Sequence, residues 1–115
     1  MDFTIFSGLL NELVEDLKIE LKNDPSLDDN ILGSKVKNAI RDVINARKYK
    51  SVGYDDLQIL DDLENYYSII KSIALYDYNQ SGAEGQVVHD ENGISRTWAD
   101  RKSLFNGVVA LVKVF

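Results

Sequence analysis

Apolar residues recur at helical spacing along the first two thirds of the chain. In the first segment they fall at the i, i+3, i+4, i+7 positions that share one face of a helix, with acidic residues and a lysine opposite. The spacing predicts a first helix from Thr4 to Asn23, and Pro25 stops it because proline disfavours helix in the residue before it. The predicted buried face consists of Leu9, Leu10, Leu13, Val14, Leu17 and Leu21.

A second helix is predicted between a cap at Ser26 and about Tyr49. Ser26 followed by Asp29 resembles a capping arrangement, in which a side-chain oxygen meets the free N–H groups of a helix start. Gly33 weakens the first turns and splits off a separate turn if the helix breaks there. The predicted buried face consists of Leu32, Val36, Ala39, Ile40, Val43 and Ile44.

The third helix is predicted to be the longest and to form the spine of the domain. It starts with Asp55 as its N-cap and runs to about Tyr78. The residues from Asn79 to Gly82 are expected to end it, with Gly82 taking the left-handed cap that glycine adopts without steric cost. The predicted buried face consists of Leu57, Leu60, Leu63, Tyr67, Ile70, Ile73 and Ala74.

The stretch after this helix, Gly82 to Trp98, carries residues that a plain core does not explain. Asn92-Gly93 is a strong signal for a two-residue hairpin turn, because both positions tolerate positive φ. In a hairpin, His89 would face Arg96 across the strands. An irregular loop with a tight bend explains the same residues, and the sequence leaves both structures open.

Two further elements complete the predicted fold. A short helix is expected near Ala99 to Asn106, and the apolar run Val108 to Val112 is a terminal helix or a strand. The fold class is therefore mainly α, a small bundle of three to four helices with a long loop or β-hairpin between the long third helix and a short C-terminal helix or segment. Residues 1–115 form one predicted domain, with residues 79–98 as its arm.

Composition narrows the class of protein. The chain has 115 residues, of which 44% are hydrophobic and 28% charged, as expected for one globular domain. It has no cysteine, which excludes thiolate chemistry, and its first residues do not resemble a signal peptide. No apolar run approaches the roughly 20 residues of a membrane span. The net charge of −6 disfavours binding to nucleic acid through phosphates. We expect a soluble protein that works in the cytoplasm.

The sequence contains few residues in patterns typical of catalytic or metal sites. His89 is the only histidine and lies near Glu84, Asp90 and Glu91, but sequence neighbours along a strand alternate faces, which disfavours a metal site. No serine lies in a nucleophile-elbow pattern. The Gly-Ala-Glu-Gly run at 82–85 lacks the Lys-Ser/Thr of a phosphate loop and follows a helix. A helix-turn-helix is disfavoured because the third helix is acidic.

Three features carry a resemblance to a known family. They are Arg47 and Tyr49 closing the second helix, the run IALYDYNQSGAEG from Ile73 to Gly85, and the run HDENGISRTW from His89 to Trp98. In this order they resemble the phage head-tail connector family, the small adaptor proteins that dock beneath the portal of tailed bacteriophages. The resemblance covers the C-terminal half of the chain and, more loosely, the first two helices.

The resemblance implies a structural virion protein rather than an enzyme, with no cofactor. Its implied partners are other copies of itself, in a ring that is dodecameric on the portal, the portal protein, and a downstream stopper or tail-completion protein. DNA would pass through the ring without specific binding, and no membrane is involved. The implied location is the head-tail interface of the virion, and the host cytoplasm during assembly.

Two surfaces are predicted to form the interfaces of such a ring, because a ring joins unlike faces of successive subunits. One pairs the basic residues Lys37, Arg41 and Lys48 of the second helix with acids of the third, Asp61 and Asp62 among them. The other is the arm, where glycines supply bends, Arg96 binds a carboxylate and Trp98 anchors the loop. The predicted arm residues are Gly82, Glu84, Gly85, His89, Glu91, Asn92, Gly93, Arg96 and Trp98.

Other interpretations stay open. The basic residues of the second helix also fit a solvated face, and the arm residues also fit a loop that is held only to its own domain. Two rival functions are a small helical adaptor or regulator that binds a protein partner through the apolar C-terminal run, and a hydrolase that uses His89.

Overall fold

Four α-helices make up most of the protein in this computed structural model, which describes residues 3–25, 27–83 and 101–111. Helix α1 spans Ser7–Glu20, α2 spans Asp29–Arg47, α3 spans Asp56–Glu64 and α4 spans Tyr67–Ala83. Short 3-10 helices at Phe3–Phe6 and Tyr49–Val52 precede α1 and follow α2. Residues 101–104 are also helical. The predicted mainly α bundle is confirmed.

The core is one cluster of buried side chains to which α1, α2, α3 and α4 all contribute. Helix α2 lies at its centre and packs against α1, α3 and most extensively α4. The periodicity predicted the buried faces of α1 and α2 correctly, including Leu13 and Ile40, because a stripe on one face of a helix is what a neighbouring helix covers. The fully buried large side chains are Phe6, Leu13, Leu17, Leu32, Val36, Ile40, Val43, Leu63, Ile70 and Ile73.

The start of α2 differs from the prediction. Asp28, not Ser26, is the N-cap, and its carboxylate accepts hydrogen bonds from the backbone N–H groups of Asn30 and Ile31 at 3.0 and 3.1 Å. Ser26 lies outside the described residues. The helix continues through Gly33 without a break. It ends at Arg47, two residues before the predicted end, because Lys48 adopts the left-handed conformation with φ of 57°.

The predicted single third helix is wrong, because the chain forms two helices there. The N-cap at Asp55 is confirmed, and Gln58 completes a capping box with it. The helix then closes with i to i+3 hydrogen bonds from Asn65 N–H to the Asp62 carbonyl (3.0 Å) and from Tyr66 N–H to the Leu63 carbonyl (2.9 Å). Such bonds tighten the last turn and end a helix, so α4 starts anew at Tyr67.

The buried face of α3 also differs from the prediction. Ile59 and Leu63, one helical turn apart, face the core, whereas Leu57 is 69% exposed. In α4 the predicted Ile70, Ile73 and Ala74 are buried. Periodicity alone could not choose between Leu57 and Ile59, because Leu57 with Leu60 and Ile59 with Leu63 both have helical spacing, on different sides of the helix.

The C-terminal part departs from the prediction at two places. Helix α4 extends to Ala83, so Gly82 lies within the helix and is not its cap; one glycine costs a helix only about 1 kcal/mol. Residues 108–111 form neither helix nor strand, and Val112 lies outside the described residues. Residues 101–104 are helical, within the short helix predicted near Ala99 to Asn106, and Ala99 lies outside the described residues.

Two leucines of α3 test this packing directly. We expect Leu63→Ala to lower the free energy of unfolding by about 2 to 5 kcal/mol, because Leu63 is fully buried and its truncation leaves a cavity. The matched control Leu57→Ala should change it by less than about 0.5 kcal/mol. Urea unfolding followed by circular dichroism measures both. Equal losses would contradict the orientation of α3.

Candidate functional site

The last residue of α2 carries a buried charge. Arg47 is only 8% exposed, and its Nε and Nη2 donate to the two carboxylate oxygens of Asp62 at 2.9 and 3.2 Å. The Tyr66 ring lies 4.9 Å from the guanidinium carbon and adds a cation–π contact. This two-pronged pairing is the geometry in which arginine binds a carboxylate most strongly, and it joins α2 to α3.

Tyr49 completes the pairing from the 3-10 helix that follows α2. Its hydroxyl donates to Asp62 Oδ2 at 2.8 Å. Burial, together with this hydrogen bond and the negative charge of Asp62, raises the pKa of Tyr49 above the ordinary tyrosine value of about 10. Tyr49 is therefore a hydrogen-bond donor at physiological pH and not a nucleophile. We call Arg47, Tyr49 and Asp62 the buried network.

The buried network also holds the C-terminal segment 108–111. Arg47 Nη1 donates to the backbone carbonyl of Val109 at 2.6 Å, and the Leu111 N–H donates to the Arg47 carbonyl at 2.8 Å. Ser51 Oγ donates to the Leu111 carbonyl at 3.3 Å. These hydrogen bonds are to backbone atoms, and the side chains of Val108 and Leu111 also pack against the core.

A second arginine ties the chain together at residue 101. Arg101 donates from Nε and Nη2 to the two carboxylate oxygens of Asp77 on α4 at 2.8 and 2.9 Å. Its Nη2 also donates to Asp42 on α2 at 2.6 Å, and its guanidinium lies over the Phe105 ring. Hydrogen bonding to Asp77 raises the pKa of Arg101, which stays charged. We call Arg101, Asp42 and Asp77 the Arg101 clamp.

A groove of about 770 Å³ opens beside the buried network, between the N-terminal 3-10 helix, α2 and α3. Its apolar part comes from aromatic and isoleucine side chains, and its charged part is entirely basic, since no carboxylate lines it. We call it the basic groove. Its lining residues are Phe3, Arg41, Ile44, Asn45, Lys48, Tyr49, Lys50, Ser51 and Ile59.

The structure separates the predicted basic residues. Lys37 and Arg41 lie over the Phe3 ring, at 5.1 and 5.0 Å from its centre, so they partly cover an aromatic side chain at the N-terminus. Arg41 and Lys48 line the basic groove, and Lys37 does not. Lys48 is exposed at the left-handed position that ends α2.

The two predicted acidic residues lie in different environments. Asp61 is exposed on the outer side of α3, whereas Asp62 has a side chain only 15% exposed and is engaged in the buried network. Gly82 lies in the last turn of α4. The remaining predicted arm residues lie outside the described residues: Glu84, Gly85, His89, Glu91, Asn92, Gly93, Arg96 and Trp98.

Sequence reasoning missed the Arg101 clamp and the role of Asp62. A signal for the buried network was present, because Arg47 falls on the stripe of Val36, Ile40 and Val43, where a charge must find a partner when it is buried. Asp62 was instead grouped with the acidic surface. Nothing local marks Arg101, because its partners lie 24 and 59 residues earlier in the chain.

Several carboxylates of the described residues are engaged by other side chains. Asp62, Asp77 and Asp42 are paired with arginines, and Tyr67 donates its hydroxyl to Asp16. Within 3–25, 27–83 and 101–111, no three acidic, histidine or cysteine side chains gather as metal ligands. None of the helices described here combines the length and apolar character needed to cross a membrane. These side chains are suited to joining segments of the chain.

Comparison with known proteins adds no family to this geometry. The chain matches no protein-family model, and no match was found among the curated proteins or the solved structures.

Neighbouring aspartates test the buried network. We expect Asp62→Ala to lower the free energy of unfolding by about 3 kcal/mol, because it leaves the Arg47 charge buried without its carboxylate. Asp61→Ala, which removes the adjacent exposed carboxylate, should change it by less than about 0.5 kcal/mol. Urea unfolding of both variants gives the comparison. A small effect at both positions would mean that the Arg47–Asp62 pair contributes little.

Alkaline pH tests the Tyr49 hydroxyl. Above about pH 10 the unfolded chain releases the Tyr49 proton, whereas the folded protein keeps it until its raised pKa is reached, so stability falls as pH rises. Tyr49→Phe should make this fall shallower. Tyr54→Phe, in the ring stacked on Tyr49, is the control and should keep the parent's slope. Unfolding free energies between about pH 8 and about pH 11 would decide, and parallel profiles for parent and Tyr49→Phe would contradict the assignment.

Proposed function

We propose that this chain is a structural virion protein of a tailed bacteriophage, a head-tail connector that forms a ring beneath the portal and extends the DNA exit channel. The mainly α bundle is compatible with the fold that the resemblance implies. The resemblance itself rests on Arg47 and Tyr49 and on residues 73–98.

The observation that carries the proposal is the Arg101 clamp. Residues 79–83 of the predicted arm belong to α4, and Arg101 ties the chain that follows the arm back to α4 through Asp77 and to α2 through Asp42. Arg101 thus fixes the chain to the helical bundle immediately after the arm. This fixed attachment would position arm residues for contact with a neighbouring subunit. The two parallel hydrogen bonds from Arg101 to Asp77 fix the orientation of the guanidinium as well as its distance, whereas a single hydrogen bond would fix only the distance.

The distribution of charge also supports a connector. Arg41 and Lys48 lie at the basic groove, while Asp56, Asp61 and Glu64 are exposed on α3. A ring joins different faces of successive subunits, and opposite charges on those faces set register and partner choice. The net charge of −6 favours a channel from which DNA is repelled and through which it slides.

One observation favours the alternative function, a small helical adaptor that binds a protein partner through its C-terminal run. Val109 is 64% exposed although it is large and apolar, and the backbone of 108–111 is held in place by the buried network. An apolar side chain presented on a fixed main chain is suited to contact a partner. A connector can use the same residue against the portal.

Co-sedimentation with the portal protein encoded by the same genome tests the proposal. We expect the parent protein to sediment with portal rings, and Arg96→Glu to keep its helical circular dichroism but sediment alone, because a charge reversal in the arm breaks the pairing with a carboxylate. Lys22→Glu, a charge reversal at an exposed residue after α1, should sediment with portal.

Two outcomes would count against it. A parent protein that never sediments with portal would argue for the adaptor function. Portal binding by Arg96→Glu equal to that of the parent would remove the arm from the interface. A His89→Ala phage that stays infectious would separately dispose of a hydrolase that uses His89.

A further inference from the structure

The outer side of α3 presents an apolar side chain beside negative charges. Leu57 is 69% exposed, and Asp61 follows it by one helical turn, so the two side chains lie about 6 Å apart on the same side of the helix. Glu64 is exposed three residues further on. We call Leu57, Asp61 and Glu64 the α3 stripe. Asp61 and Glu64 do not cap α3, and Leu57 is not part of the core.

The basic groove has the opposite character. Phe3, Ile44 and Ile59 supply apolar surface, while Arg41, Lys48 and Lys50 supply positive charge. Lys48 and Lys50 form no ion pair with any carboxylate among the described residues. A groove that combines apolar surface with unpaired cations fits a helix that presents a leucine flanked by acids.

The groove and the stripe cannot meet within one molecule. Ile59 lines the groove, and both Leu57 and Asp61 lie two residues from it, about 200° around the helix. They therefore face the opposite side of α3. The same chain thus carries both halves of a complementary pair, on faces that point apart.

We propose that the basic groove of one copy receives the α3 stripe of a second copy. Leu57 packs between Phe3 and Ile44, and Asp61 and Glu64 approach the groove's cations. Because groove and stripe face opposite ways, each contact leaves a free groove on one copy and a free stripe on the other, which is the head-to-tail arrangement. The head-to-tail contact can be tested without the proposed function. Only the closing of successive copies into a ring rests on the proposed function.

Local charge complementarity makes the α3 stripe of a second copy a suitable occupant of the basic groove. Two copies, each at −6, repel one another at long range, so association requires a local region where opposite charges meet. In the basic groove three cations, Arg41, Lys48 and Lys50, lie together without a lining carboxylate. One small contact of this kind is weak alone, and a template that aligns several copies strengthens it.

Engineered disulfides test the contact, since the chain has no cysteine of its own. The protein with Leu57→Cys is mixed with the protein carrying Asn45→Cys, an exposed position in the groove lining, under mild oxidation. We expect about tenfold more disulfide-linked dimer than from Leu57→Cys mixed with Ser72→Cys, an exposed position on α4, because docking raises the effective concentration of the paired thiols.

Charge exchange provides a second measurement. Asp61→Lys added to the Leu57→Cys protein should reduce the crosslinking yield to that of the Ser72 control, and Lys48→Glu added to the Asn45→Cys protein should restore it when the two are mixed. All these substitutions lie at exposed positions and should leave the fold intact, which circular dichroism checks.

Each outcome decides. Equal yields for the Asn45 and Ser72 partners would overturn the proposal, and so would Leu57→Cys protein that crosslinks mainly to itself, since that signals a two-fold contact. The proposed function fails separately. Crosslinking as expected without portal binding would leave head-to-tail association standing and remove the connector, whereas portal binding without the crosslink would keep the connector and assign its ring contacts to other surfaces.

Discussion

A charge buried at the end of α2 constrains the rest of this structure. Taking a guanidinium out of water costs several kcal/mol unless carboxylate and carbonyl oxygens replace the water. Arg47 obtains those oxygens from Asp62 on α3 and from Val109 near the C-terminus, and Tyr66 covers its face. These partners come from two separate places in the sequence, the α3–α4 junction and the C-terminal segment 108–111. Arg47 therefore joins both of them to the end of α2.

The break between α3 and α4 lies beside the same arginine. The turn at Asn65–Tyr66 ends one helix and begins the next, with the Tyr66 ring against Arg47 and the Tyr66 carbonyl accepting a hydrogen bond from the Ile70 N–H at 2.8 Å. Arg101 forms a similar set of charged contacts with Asp42 on α2 and Asp77 on α4. Two arginines thus join the C-terminal part of the chain to the two helices that pack most extensively.

Periodicity predicted what depends on neighbours in sequence. The buried faces of α1 and α2, the Asp55 cap and the helical class all follow from residues a few positions apart. The features that the sequence did not reveal depend on contacts between distant residues. Asp62 resembles its neighbour Asp61 in sequence and differs from it only because Arg47 lies 15 residues earlier. The extension of α4 through Gly82 shows that one poor helix former does not end a helix.

The candidate site likewise has a part that the sequence could predict and a part that depends on distant contacts. Arg41 and Lys48 could be placed on the second helix from their spacing, but the groove that they share with Phe3 and Ile59 requires the tertiary arrangement of three elements. Leu57 was predicted to be buried, and its exposure is what turns the start of α3 into a surface with both apolar and acidic character. Interaction surfaces are harder to predict than cores, because their exposed apolar residues depart from the apolar periodicity that identifies a core.

Electron microscopy of the assembled virus particle is the most direct test of the central claim, that copies of this helical protein form a collar at the exit of a viral genome. Reconstruction of the neck should reveal a ring of helical density between portal and tail, into which the α2–α4 pair fits with α3 turned toward the adjoining copy. A neck in which all density belongs to other proteins would contradict the account.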